Sequence, residues 1–237
     1  MIRLLIGLLS ASLYAQMLPT PAVTWPHNGG ATTFAMTRYT TSGGISCTTN
    51  PCSSTVTMGP SNLVVFTAGY TAASQLTLSS ITGGGTWVVP SGCATWDSSS
   101  SYGTLVGYNL SSTAGSNQSI TVNLSGTPTQ AYQFFSEWQA SKTPAFDACG
   151  TPATDSACTT CTGLAITITG TQDALVQIGI SPTRRVTAQT GYTAFTALPA
   201  SASIPANAGM TNATTAPAPS FTLSASGRLV LSAIAFK

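Results

Sequence analysis

The chain has 237 residues, with seven Lys or Arg, five Asp or Glu, and one histidine, His27, for a net charge of +2. Only 5% of its residues are charged, where ordinary soluble domains carry roughly 25%. This scarcity excludes a rich constellation of acids, bases and metal ligands. The lack of a dense cationic stripe excludes nucleic acid as a partner, and the 43% hydrophobic content excludes a disordered chain.

The N-terminus opens with Met1-Ile2-Arg3 and an apolar run from Leu4 into Ala11, followed by Ser12-Leu13-Tyr14-Ala15, which puts a small residue at a cleavage point before Gln16. That pattern predicts a secretory signal peptide over 1–15, too short to stay as a membrane helix. No Cys follows the apolar run to carry a lipid anchor, and no later stretch is long enough to span a bilayer as a helix. The mature chain is therefore expected outside the cytoplasm, secreted or at the cell surface. An even set of six cysteines, Cys47, Cys52, Cys93, Cys149, Cys158 and Cys161, predicts three disulfides in an oxidising compartment. The turn-rich spacing of Cys47 and Cys52 favours a local bridge there. The other four allow three pairings. Cys158 and Cys161 have CxxC spacing, but no second CxxC, nearby His or βαβ setting accompanies them, so a structural bridge is favoured over zinc or redox chemistry.

After the leader, helical periodicity is missing and strand signals recur. Residues 33–39 alternate, 62–70 form a buried-type run, 75–81 alternate, and 85–89 follow the turn Gly83-Gly84-Gly85. Residues 104–108 and 119–124 flank a loop at 112–117, a hairpin signature. Further strands are expected at 131–138, 164–168, 174–180, 192–195, 220–223 and 228–236. Lys142–Thr162 reads as a large loop pinned by disulfides. Residues 200–219 read as an irregular connection or an edge strand containing Pro. Strands at roughly 8–12-residue spacing predict a sandwich or barrel. The expected fold is thus all-β: one antiparallel, jelly-roll-like, disulfide-stabilised β-sandwich over 16–237, with roughly 10–12 strands. A transmembrane β-barrel shares the alternation, but the six cysteines, the few girdle aromatics and the final Lys237 argue against it.

Several short words recur in a consistent order: Asn62–Val65, Gly85–Trp87, Tyr108-Asn109, Ile120–Ser125, Ser136–Gln139, Pro144–Asp147, Thr190–Thr193 and Ala235–Lys237. Over about residues 60–237 this series resembles a β-sandwich domain that recurs in exported bacterial proteins, notably acidobacterial ones. The family pattern runs NLVV, a GNT(Y/W) turn region, a YxxN…VTVTxS hairpin, SEYSG…PLD, sGyT and a closing AFK. This chain departs from it with Ser136-Glu-Trp-Gln139 and with its cysteines. The resemblance implies a jelly-roll-like sandwich in an extracellular setting and implies no catalysis.

The candidate chemistry is thin. Glycoside hydrolysis would pair two of Asp97, Glu137, Asp147, Asp155 and Asp173, with Glu137 and Asp147 the best placed. The competing reading makes Glu137 a loop organiser and Asp147 a turn former. A Ser-His-Asp arrangement would need His27, and no G-x-S-x-G elbow is present. Calcium would need Asp97, Asp155 and loop carbonyls; no metal or cofactor is expected. The aromatics Trp25, Trp87, Trp96, Trp138, Tyr102 and Tyr108 could offer a sugar-stacking platform, with Trp96 and Tyr102 flanking the polar loop Asp97–Ser101 the candidate ligand-binding pair. The competing reading puts the aromatics in the core. Sequons at Asn109, Asn117, Asn123 and Asn212 mark possible glycan acceptors. The expectation is a non-enzymatic structural or adhesive surface protein. Its partners would be copies of itself, paired through sheet edges such as 228–236, or surface glycans in the alternative of a carbohydrate-binding module.

Overall fold

The computed structural model describes residues 31–39, 44–59, 61–112, 115–150, 153–162, 166–190, 192–195, 201–215, 218 and 220–237. The expected signal peptide, Trp25 and His27 lie outside the described residues. These residues form strands joined by turns, and no helix is present among them. The first strands are β1 (Phe34–Tyr39), β2 (Ile45–Cys47), β3 (Cys52–Met58), β4 (Leu63–Thr71), β5 (Leu78–Thr82) and β6 (Trp87–Val88). Next come β7 (Thr95–Asp97), β8 (Tyr102–Asn109), β9 (Gly115–Leu124), β10 (Gln130–Ala140), β11 (Phe146–Cys149) and β12 (Ala153–Thr162). The last are β13 (Asp173–Ile180), β14 (Val186–Thr190), β15 (Thr193–Ala194), β16 (Ala206–Ala213) and β17 (Ser220–Phe236).

All pairings are antiparallel. One sheet runs β1-β10-β4-β8-β6, with β2 beside β10 and β7 beside β8. A second runs β11-β17-β13-β16-β15, with β12 and β14 also on β17. A third, small sheet runs β3-β9-β5. The first sheet is the middle layer. From β4, Val64, Phe66, Ala68 and Tyr70 pack with Val56, Ile81, Ile120 and Val122 of the small sheet. From the same strand, Leu63 and Val65 pack with Ala174, Val176, Ile234 and Phe236 of the second sheet. Alternate residues of a strand point to opposite faces. A strand covered on both faces therefore loses its polar half and reads as a continuous apolar run. That is why 62–70 is uninterrupted, whereas β3, covered on one side, alternates buried and exposed along its whole length. Burying a large side chain stabilises by about 1.5–3 kcal/mol, so these two interfaces are where the fold's stability resides.

The all-β class stands as expected, with two seven-stranded sheets facing each other. Several local expectations are corrected. There are more strands than the sequence suggested, because β2, β3, β7, β11, β12, β14 and β16 form in segments that gave no strand signal. The strands β8 and β9 are not a hairpin: β8 pairs with β4, β6 and β7, while β9 crosses to the small sheet and pairs with β3 and β5. The segment 142–162 holds two strands, and 200–219 contributes β16, an inner strand between β13 and β15. In the segment 164–168, Ile166 and Ile168 are not in a strand, but they pack onto the outer face of the second sheet. The closing segment is no sheet edge. It belongs to the long β17, which has β13 and β14 along one side and β11 and β12 along the other.

Three disulfides are formed: Cys47–Cys52, Cys93–Cys149 and Cys158–Cys161. The first closes the turn before β3, where Asn50 accepts from Leu124 N and donates to Leu124 O. The second ties the turn before β7 to β11 and so joins the two large sheets. The turn at Gly83, Gly84 and Gly85 has positive φ throughout. A Cβ at Gly83 would fall 2.0 Å from Ser119 O, so glycine is needed there on two counts.

Candidate functional site

Trp96 and Tyr102 sit on the β7–β8 hairpin, but not on one face. In register, Trp96 opposes Gly103 and Asp97 opposes Tyr102. Directly opposed residues share a face and successive residues alternate, so Trp96 and Tyr102 project to opposite sides. Trp96 stacks on Tyr70, with centroids 5.7 Å apart and planes 8° from parallel, against the core shared with the small sheet. Gly103 leaves room for this, since a Cβ there would lie 2.4 Å from the Tyr70 ring. Burial pushes the Tyr70 hydroxyl up to about 12, although it donates to Leu76 O. Tyr102 turns toward the second sheet, and its hydroxyl is 2.8 Å from Ser203 Oγ. The two rings therefore do not form a flat platform. Trp138 is fully buried, Tyr108 is buried, and Trp87 is half-buried, its Nε1 donating to Gly83 O. The exposed large apolar side chains among the described residues are Met36, Val88 and Val89, none of them aromatic.

The carboxylates are taken up by the fold. Asp97 is 6% exposed. It accepts from Ser99 N at 3.0 Å, Ser99 Oγ at 2.5 Å, Ser100 Oγ at 2.7 Å and Arg228 Nη1 at 2.9 Å. Burial by itself would raise its pKa, but these donors outweigh burial and bring it down to about 2. Asp97 Oδ2, proposed as a calcium ligand, is taken up by Arg228 Nη1 and Ser100 Oγ. The Asp155 side chain, the other proposed calcium ligand, lies outside the described side chains. Glu137 is buried on β10, where Oε2 accepts from Gly59 N at 2.6 Å and Oε1 faces Arg38 Nε at 3.8 Å. It organises the loop after β3, as the competing sequence reading held.

Asp147 does not meet Glu137. The two stand in different sheets. Its partners are Lys237, whose Nζ is 2.9 Å from Oδ1, Thr169, whose N–H donates to Oδ2 at 2.6 Å and whose Oγ1 contacts Oδ1, and the neighbouring Asp173. Burial would raise the Asp147 pKa, yet the Thr169 donors and Lys237 bring it to about 2. Asp173 is completely buried, against the Asp147 carboxyl and the Gly170 N–H. Burial first, then the hydrogen bond with Asp147 and then the Asp147 charge push its carboxyl up to about 7, with Lys237 and the Gly170 N–H acting the other way. Carboxyls driven apart in pKa are a pattern seen in acid–base sites. Here, however, both lie behind the residues of the nearest cavity, an open groove of about 420 Å³ lined by Thr169, Gly170, Gln172, Lys142 and Lys237. Asp173 was among the candidate acids, but its meeting with Asp147, Lys237 and Thr169 could not be read from the sequence because it depends on strand order. The only hint was that Pro144–Asp147 and Ala235–Lys237 are both recognisable words, and the structure brings these two together.

The sequons divide as well. Asn109 is fully buried and bonded to Gly84 O and Ser111 N, which leaves no room for a glycan. Asn212 is exposed, with its Oδ1 accepting from Phe34 N.

No protein-family model matches the chain, and comparison with curated proteins and with solved structures finds no match.

Proposed function

We propose that this is an exported, non-enzymatic structural or adhesive protein that associates with copies of itself through the open edges of its sheets. The observation that carries this reading is the chemistry of those edges. The strands that pair with a single neighbour, and so leave an edge open, are β1, β2, β6, β7, β11, β12, β14, β15, β3 and β5. Their charged residues are Arg38, Asp97, Asp147 and Asp155, few for so many edges, and three of these are ion-paired, Arg38 with Glu137, Asp97 with Arg228 and Asp147 with Lys237. Natural sheet edges are normally guarded by outward charge, above all Lys. Here β3 presents Ser53, Thr55 and Thr57 as its exposed residues, hydroxyls that are cheaper to desolvate than ions. Its main chain is paired on one side only, with β9. Added-strand pairing supplies affinity through backbone hydrogen bonds. The three disulfides support an oxidising, non-cytoplasmic setting.

Light scattering on the purified chain across a concentration series tests this. The expected result is mass growing with concentration, and a Thr55→Lys variant that stays smaller at every concentration. A strict monomer throughout, or a Thr55→Lys variant that grows as the wild type does, overturns the reading for this edge.

A further inference from the structure

Asp147, Lys237 and Asp173 stand on or at the end of three adjacent strands, β11, β17 and β13. Phe236 pairs with Phe146 on one flank and with Ala174 on the other, so the residues beside these pairs are set next to one another. Lys237 is anchored by two backbone hydrogen bonds with Ala145, at 2.8 and 2.9 Å. Its Nζ lies 2.9 Å from Asp147 Oδ1, and the Asp147 side chain is 1% exposed. Asp173 fills the far side, 0% exposed and hydrogen-bonded to the Asp147 carboxyl, with no cation of its own within ion-pair distance. A simple ion pair between Lys237 and Asp147 gives Asp173 no role. Ionised, it would be a buried and uncompensated charge, which is strongly unfavourable, so it is enclosed as the neutral acid. A neutral acid beside a carboxylate and an amine is a proton donor already in position.

We propose that Lys237 and Asp147 form an intramolecular isopeptide bond, with Asp173 serving as the proton-carrying acid of the reaction. The proposal goes beyond the functional reading above and does not depend on it. The steps balance as follows. The Lys237 ammonium passes one proton to the Asp147 carboxylate, leaving a neutral amine and a neutral carboxylic acid. The Nζ lone pair attacks Cγ of Asp147 and a C–N bond forms. Asp173 gives its proton to the carboxyl oxygen as charge builds there, and the Thr169 N–H, 2.6 Å from Oδ2, holds that oxygen as an oxyanion donor does. The nitrogen gives up a proton, which restores Asp173. One C–O bond breaks and its oxygen departs as water. The ammonium and carboxylate have become an amide plus one water, nothing is oxidised or reduced, and no co-reactant is used. The Lys237 side chain is 45% exposed, which gives the water a path out. The product staples β11 to β17 beside the Cys93–Cys149 bridge.

Mass spectrometry of a tryptic digest of the full chain, with disulfides reduced, reads the bond directly. Cleavage at Lys142, Arg184 and Arg228 places Asp147 in the peptide 143–184 and Lys237 in the peptide 229–237. The expected result is one branched peptide containing both, lighter than their sum by one water, with fragment ions that locate the link at the two side chains. In Asp173→Asn and Lys237→Arg the two peptides separate at full mass. The wild type alone decides even where a variant fails to fold. Two separate wild-type peptides overturn the proposal. So does a water loss confined to 143–184, which would mark a cyclic imide, or a link that persists unchanged in Asp173→Asn.

Discussion

Replacing Asp97 by Asn keeps the side chain's shape and removes the charge that Ser99, Ser100 and Arg228 address. Asp97 holds the four-residue turn between β7 and β8 and reaches across to β17 in the facing sheet. Its pKa falls from the ordinary 3.8 to about 2. At about 1.4 kcal/mol for each pH unit, that is worth about 2.5 kcal/mol of folding stability. Because the folded state holds the lower pKa, this contribution is complete above the ordinary carboxylate value and is lost as pH falls toward about 2. Urea unfolding with the disulfides intact, followed through Trp96 on its Tyr70 stack, gives the assay. At neutral pH, Asp97→Asn is expected to be less stable by about 2–3 kcal/mol, in keeping with hydrogen bonds to a charged group. The gap should close as pH drops through the acid range. Arg228→Met should cost less in the Asp97→Asn background than in the wild type, since the two side chains are in contact. A variant within about 0.5 kcal/mol of the wild type at neutral pH, or two pH curves that run parallel, refutes the reasoning.

Glu137→Gln should destabilise by about 1.5–3 kcal/mol in thermal or denaturant unfolding, because Gly59 N and Arg38 lose their charged acceptor. Gly103→Ala drives a methyl into the Tyr70 ring. It should cost about 1–3 kcal/mol by overpacking and alter the near-ultraviolet signal of the Tyr70–Trp96 stack. In the form in which Asp147 and Lys237 are not linked, Asp173 holds its carboxyl near 7 through burial, the hydrogen bond with Asp147 and the Asp147 charge. The stability it confers is therefore full in acid and declines as pH rises from the ordinary 3.8 toward 7, and Asp173→Asn should show no such decline in a pH series of melting temperatures. Replacing both Cys93 and Cys149 by Ser opens a loop with sequence separation 56 and should cost about 4 kcal/mol by loop entropy, measured by urea unfolding of the oxidised proteins.

The strands were legible where one face is wet and the other dry. Residues 75–81 alternate because β5 covers only one side of the core, and 62–70 runs unbroken because β4 lies between two layers. The turn at Gly83–Gly85 could be read because nothing but glycine takes those angles beside Ser119. What the sequence concealed is partnership. The loop after β8 looks like a hairpin, since local turn residues are the same whether a chain returns to its own sheet or crosses to another. Arg228–Phe236 looked like an edge because its outward charge is low, yet that low charge reflects neighbours on both sides. The same limit applies to the acids. Asp147 was paired with Glu137 because the two are near in sequence, whereas strand order β11-β17-β13 sets Asp147 beside Asp173 and Lys237, residues far apart along the chain. Trp96 and Tyr102 flank one loop, but strand alternation sends them to opposite faces.

The claim at the centre of this account is that the few charges are spent inside the fold, leaving edges that join through main chain and hydroxyls. Light scattering at one fixed protein concentration, across a salt series from low ionic strength to about 1 M, where the screening length falls to about 3 Å, tests it most directly. The account expects assemblies of the wild type that persist undiminished across the series. Assemblies that dissolve as salt rises would contradict it, because contacts between ions would then be holding the copies together.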